Sequence, residues 1–276
     1  MSAFWGSLSS LLIGVSDLLL VRVNHRMSII TLMIAAMLGG IGAALVVVPF
    51  VDSSLHARSM LLGALAGLSM GVALAVYIKS LTLTSVSVTS PATAVQVALW
   101  PFVYDIVAED ARPGGVAYAG VVVALVSLVF TTWSPESVGR LWAGMRLALL
   151  SGALYGIGNI LLGSTDEAAG LWPAVTHRSA GFVMFVVAAV VLGIPRIPPS
   201  GTRTVAVLGG AVGTLAIGAY VIGTQRGSLG LVAVTGSLFP AASVTLLHRY
   251  AGHPLRWWQG VGVGGAIAGA TLIAVA

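Results

Sequence analysis

Asp17 is the residue best placed to do chemistry, because it interrupts an apolar run that extends from Ala3 to Val21. If that run crosses a bilayer, an uncompensated charge within it costs at least about 2.5 to 3.5 kcal/mol. Asp17 therefore reads as a proton-coupling carboxylate or the counter-ion of a cationic group. Its structural alternative is an interfacial position or a hydrogen bond to a neighbouring helix. A second set, Thr93, Gln96, Trp100 and Tyr104, is spaced by three and four residues and so shares one helix face. Polar handles beside flat aromatic surface suit one wall of a cavity. Pro101 removes the hydrogen bond to the carbonyl of Val97, and Pro240 does the same for Gly236, with Thr235 and Phe239 beside it. The alternative is a pair of packing kinks, with Trp100 facing lipid. A third set is His177 and Arg178, which could hold an anionic group or pair with Asp17. An arginine that snorkels to the interface is the plainer reading. Asp105 and Lys79 stand near segment ends and read as solvated charges.

Other patterns carry no chemistry. Gly67-Leu-Ser69-Met-Gly71 matches G-x-S-x-G, but a nucleophile elbow needs a strand, a turn and a helix, and this run lies inside one apolar segment. There is no G-x-x-x-x-G-K-[ST] phosphate loop and no H-E-x-x-H pair, and cysteine is absent. No catalytic residue, cofactor or metal ion is expected.

The elements that position these residues follow from composition. The chain has 276 residues, 58% hydrophobic and 8% charged, with a net charge of +5. That is too apolar for a surface in water. The pI of about 10.1 does not indicate nucleic acid, because the basic residues stand singly between long uncharged stretches. A crossing helix needs roughly 20 apolar residues. Ten such segments fit, over 3–21, 28–50, 59–78, 88–107, 115–133, 141–163, 171–193, 204–223, 228–248 and 257–276. The first is expected to be a mature helix rather than a cleaved leader, since no basic stretch precedes it. Glycines recur at four-residue spacing, as at Gly63, Gly67 and Gly71, at Gly152 and Gly156, and at Gly260 and Gly264. Small residues at this spacing let helix backbones approach in lipid. Trp133, Trp142, Trp172, Trp257 and Trp258 fall at segment ends, where aromatic residues anchor in headgroups.

The two halves superpose with small shifts. Ile13-Gly-Val-Ser-Asp17 lies over Tyr155-Gly-Ile-Gly-Asn159, and His25-Arg26 over His177-Arg178. Gly63 and Gly67 lie over Gly209 and Gly213, and Leu99-Trp-Pro101 over Leu238-Phe-Pro240. Five is odd, so the second copy must enter the membrane the other way up. The expected fold is an all-α integral membrane protein of ten transmembrane helices, in two inverted five-helix repeats over 1–134 and 135–276.

Trp5-Gly6, Pro101, Pro240, Arg178 and the glycine-rich helices closing each half give a further reading. With them the chain resembles the EamA-like members of the drug/metabolite transporter superfamily, over nearly its whole length. Such proteins often carry an acidic residue just before the fifth and tenth helices. Glu109 and Asp110 supply the first, but His253 stands near the second position.

Two signals disagree about orientation. Arg22, Arg26, Lys79, Arg140, Arg146, Arg196, Arg203, Arg249 and Arg256 belong to the connections after odd-numbered segments, against Arg58, Arg112 and Arg226 after even ones. Basic residues in short loops stay cytoplasmic, which places both termini outside. The resemblance implies cytoplasmic termini.

The expected function is a secondary transporter of a small metabolite or drug-like molecule, working by alternating access between the halves. Protons serve as the coupling ion, and export is the direction the resemblance implies. The cavity is expected to use Asp17, Thr93, Gln96, Trp100, Tyr104, Tyr155, Asn159, Arg178, Thr235 and Phe239, with Pro101 and Pro240 as kinks. Its partners are a small-molecule substrate and the lipid of a bacterial-type cell membrane. A membrane enzyme acting on lipid would instead need paired carboxylates or a Ser/His dyad facing one cavity, and a non-transporting scaffold would show no flux.

Overall fold

The structure, a computed structural model, describes residues 1–84, 86–133, 140–252 and 255–276. The expected boundary at 134/135, the connector at Ser134-Pro-Glu and His253 lie outside them. The described residues are helical, with no strand among them. Lipid offers no partner for free backbone groups, so a crossing segment satisfies them within itself. The helices are α1 (Ser2–Asn24), α2 (Ile29–Val47), α3 (Ala57–Leu83), α4 (Val86–Ala108), α5 (Gly115–Thr132), α6 (Leu141–Gly163), α7 (Trp172–Val191), α8 (Arg203–Gln225), α9 (Leu229–Gly236), α10 (Phe239–Ala251) and α11 (Trp257–Val275). The pair α9 and α10 forms one span, Leu229–Tyr250, so ten helical segments are long and apolar enough to cross a membrane.

Local sequence explains their ends. The Ser28 hydroxyl accepts the Thr31 N–H at 3.1 Å and starts α2, and the Ser228 hydroxyl accepts the Leu231 N–H at 3.2 Å and starts α9. Gly252 ends α10 with φ of +70°, a left-handed conformation that glycine adopts without steric cost. Proline acts differently in the two halves. Pro101 sits inside α4, which continues through it, whereas Pro240 follows a break at Ser237 and Leu238.

Most packing joins one half to the other. α3 lies against α6 and α7, as α8 lies against α1 and α2, and α4 lies against α6 as the α9–α10 span lies against α1. α2 meets α7, α4 meets α9, and α5 meets α11. These pairings are unchanged when each of the first five spans is exchanged with the span five later. One of the expected matches joins unlike places, however. His25 and Arg26 are exposed beyond the end of α1, while His177 and Arg178 are buried inside α7.

Glycine makes these contacts possible. A methyl group at Gly67 would overlap the carbonyl oxygen of His177 in α7, and one at Gly210 the carbonyl of Ala36 in α2. Gly152 and Gly156 of α6 receive the β-carbons of Gln96 and Trp100, at 2.5 and 2.8 Å from where their own would lie. Gly260 and Gly264 face open space and pack nothing. The outer surface is apolar, as at Val122, Leu150, Val187, Val190 and Ile267, which are exposed. Trp133 follows α5, and Trp142, Trp172, Trp257 and Trp258 open α6, α7 and α11.

The connectors are short, so consecutive spans run in opposite directions and the bundle has two unlike ends. The end reached after spans 1, 3, 5, 7 and 9 carries the nine basic residues tallied above. The end holding both termini carries Asp52, Asp105, Glu109, Asp110, Asp166 and Glu167, with only Arg58, Arg112 and Arg226.

Candidate functional site

A cavity of about 750 Å³ lies inside the bundle, and every span contributes to its wall. Within the usual size range of small-molecule sites, it is also the part of the interior where polar side chains converge. A smaller recess of about 220 Å³, bounded by residues such as Trp5, Leu12, Val47 and Leu171, is almost wholly apolar. The large cavity reaches the basic end, where Thr132, Trp133 and Gln259 border it. Towards the acidic end it stops against Leu162, Tyr220 and Ala233, which pack with Ala66, Val221 and Val232 in a buried cluster. The Tyr220 hydroxyl donates to the backbone carbonyl of Asn159 at 3.1 Å and ties α8 to α6 in that floor.

Asp17 lines the cavity, half-buried in α1. Ser243 of α10 donates its hydroxyl to Asp17 Oδ2 at 2.7 Å. No cation pairs with Asp17 among the described residues, whose one ion pair is the exposed Arg226–Glu167 contact at 3.9 Å. Asn159, which stands over Asp17 in the sequence superposition, also lines the cavity, as do Tyr155 and Phe239. Tyr77 hydrogen-bonds Ser90 across the wall at 2.6 Å. Met33, Met37 and Met70 supply deformable apolar surface.

Arg178 does not snorkel. It is buried within α7 and lines the cavity together with His177. Asp105 also departs from the sequence reading as a solvated charge. It is 4% exposed, and Ser228, the cap of α9, donates its hydroxyl to Asp105 Oδ2 at 2.5 Å. This bond fastens the end of α4 to the start of α9 beyond the cavity floor. Lys79 is exposed, as expected.

The expected wall of α4 is turned. Of Thr93, Gln96, Trp100 and Tyr104, only Thr93 lines the cavity, and the face presented is Ser90, Thr93, Ala94 and Val97. The cause is the glycine face of α6, which takes Gln96 and Trp100 into contact and leaves Trp100 45% exposed on the outside. The Tyr104 hydroxyl donates to exposed Glu109 at 3.3 Å, nearer the acidic end. Thr235 is fully buried, with its hydroxyl bonded to the Leu231 carbonyl at 2.8 Å, and packs beside Gly6. Pro240 borders the cavity and Pro101 does not. Yet Val97 and Gly236, whose carbonyls these prolines leave without their helical donors, both do.

Sequence reasoning missed Tyr77, Ser90, Ser243 and Tyr220. Each is a polar side chain within a predicted span, but serine and tyrosine are common enough in helices that position alone does not single them out.

Residues 142–275 match the model of the EamA-like transporter family. With its ten apolar helices, a chain whose second half is EamA-like fits the drug/metabolite transporter superfamily. The matched stretch holds α6 to α11, and with them Tyr155, Asn159, His177, Arg178 and Ser243 of the cavity wall. A search of curated proteins finds no match. A solved crystal structure, described only as that of a protein, superposes with a TM-score of 0.81 at 16% identity, over 99% of this chain and 96% of its own. At that identity the likeness shows a shared fold alone. Likeness to a transporter family makes the cavity the place to look for a cargo.

Proposed function

We propose that this transporter carries a small metabolite or drug-like molecule by alternating access through the cavity, exchanging it for a proton at Asp17. The observation that carries the reading is the cavity itself, built by all ten spans and holding a carboxylate and a guanidinium that do not pair. Asp17 suits the proton because its partner, the Ser243 hydroxyl, is neutral and can serve either charge state of the carboxyl. The exchangeable pairing of the two five-helix halves, 1–134 and 135–276, supports inverted repeats that rock about the cavity. In such a cycle the cluster around Leu162, Tyr220 and Val232 and the Asp105–Ser228 bond part as the basic end closes.

The basic end belongs in the cytoplasm of a bacterial-type cell, since nine lysines and arginines gather there. The cavity then opens to the cytoplasm, which is the loading side for export. Efflux from proteoliposomes loaded with amino acids, nucleosides, sugars, organic cations or organic anions, under an imposed pH gradient, tests the reading. Protein-dependent, gradient-driven flux of at least one class is expected, and none for any class would overturn it. Orientation has its own test, because the chain lacks cysteine. In intact cells, an impermeant thiol reagent should label Glu167→Cys and spare Arg196→Cys, and the reverse pattern would invert the assignment.

A further inference from the structure

We infer that Arg178, with His177 beside it, forms a subsite in the cavity for an oxyanion group, a carboxylate or phosphate, carried by the cargo. The inference rests on the transport reading only where it speaks of cargo, since the subsite itself is a matter of binding.

Burying a guanidinium is costly unless its donors are used, and it carries five of them. Arg178 is 9% exposed, yet its one hydrogen bond among the described residues runs from Nη1 to the Met37 sulfur at 3.5 Å, a weak acceptor. Its Nε has no hydrogen-bond partner among them. The available carboxylate in the same cavity does not approach it, because Asp17 is engaged by Ser243. His177, 3% exposed, touches the Met70 sulfur through Nε2 at 3.3 Å, while its Nδ1 has no partner among the described residues. Two adjacent buried side chains thus keep nitrogen atoms unspent against a cavity wall.

The surroundings hold Arg178 there. A methyl group at Gly40 would lie 3.1 Å from its Cδ and Nε, and one at Gly213 would lie 3.2 Å from Nη2 and 3.0 Å from the Ser16 hydroxyl. The side chain therefore passes through a slot between α2 and α8 that only residues without a side chain leave open. A planar fork fixed in this way suits the two oxygens of a carboxylate or phosphate. The basic end, towards which the cavity opens, draws anions and repels cations.

The test measures thermal unfolding of the full chain in detergent, at constant ionic strength, with four probes that share a phenyl body. These are phenylacetate, phenyl phosphate, phenethylamine and 2-phenylethanol. At least one anion should raise the midpoint saturably, and whether it is the carboxylate or the phosphate tells which oxyanion the slot takes. Arg178→Gln should weaken that response about ten- to hundred-fold, as expected for a lost charged hydrogen bond. If Arg178→Gln does not fold, Arg178→Lys replaces it, and should lose about tenfold because the charge stays while the fork is gone. Stabilisation by the amine or the alcohol but by neither anion, or an anion response unchanged in both variants, would overturn the subsite. Liposome flux of the same probes separates the two readings. An anion that binds at Arg178 without flux of any probe leaves the subsite and sinks the transporter, whereas flux of the amine or alcohol without anion binding does the opposite.

Discussion

Replacing Asp17 by Asn separates titration from structure at the one carboxylate that the described residues bring to the cavity. Among the described residues this side chain accepts a single hydrogen bond, from the Ser243 hydroxyl at 2.7 Å, and meets no cation. Asn keeps the shape and a carbonyl acceptor for that hydroxyl, so the loss of stability should stay below about 1 kcal/mol. Asp17→Ala instead leaves the buried Ser243 hydroxyl to turn back on its own helix, for a loss of about 1 kcal/mol or more. The functional effect is far larger. If one proton is exchanged per cargo molecule, a gradient of about one pH unit supplies about 1.4 kcal/mol, and hence about tenfold accumulation on the acidic side. Asp17→Asn has no proton to exchange, so its accumulation ratio should fall to one while downhill exchange continues. The assay is cargo distribution across liposomes at equal and unequal pH, with unfolding midpoints as a check on integrity. Tenfold accumulation by both wild type and Asp17→Asn would refute the argument and make this carboxylate a structural hydrogen-bond acceptor.

Three further outcomes follow from the packing. Tyr155→Ala, in the cavity wall, should weaken cargo binding several-fold, while Trp100→Ala, on the outer surface, should leave it unchanged in the same thermal-shift titration; the reverse ranking would move the site to the other face of α4. Gly67→Ala sets a methyl group into the His177 backbone and should cost about 1 to 3 kcal/mol, lowering the unfolding midpoint, whereas Gly264→Ala meets nothing and should lower it little or not at all. Ser228→Ala removes both the cap of α9 and the partner of buried Asp105, for a loss of about 2 kcal/mol in chemical denaturation; an unchanged midpoint would mean that the α4–α9 fastening adds no stability.

The ten spans were legible because crossing a bilayer imposes a length and a composition that few other constraints can counterfeit. Residue faces were less legible, and α4 shows why. Thr93, Gln96, Trp100 and Tyr104 do share a helix face, but periodicity says only that residues lie together, not which neighbour they meet. That choice was made by Gly152 and Gly156, 50 or more residues away, whose lack of side chains draws Gln96 and Trp100 against α6. Pattern reasoning on a single helix has no access to such a term. The same limit explains Asp105, whose burial depends on Ser228 far along the chain.

Arg178 and Arg226 mark the other side of that limit, because in sequence both are lone arginines close to a helix end. Arg226 lies beyond α8 and meets Glu167 in solvent, where an exposed pair is worth little. Arg178 lies two turns into α7, and what carries its charge inward is a slot formed by Gly40 and Gly213 from two different helices. A long side chain near an interface snorkels when the outward path is open and the inward one is filled. Here Gly40 and Gly213 leave the inward path open. The glycines that let helices approach therefore also decide where a charge can be buried. A binding site in such a bundle is defined as much by side chains that are missing from its walls as by those that line it.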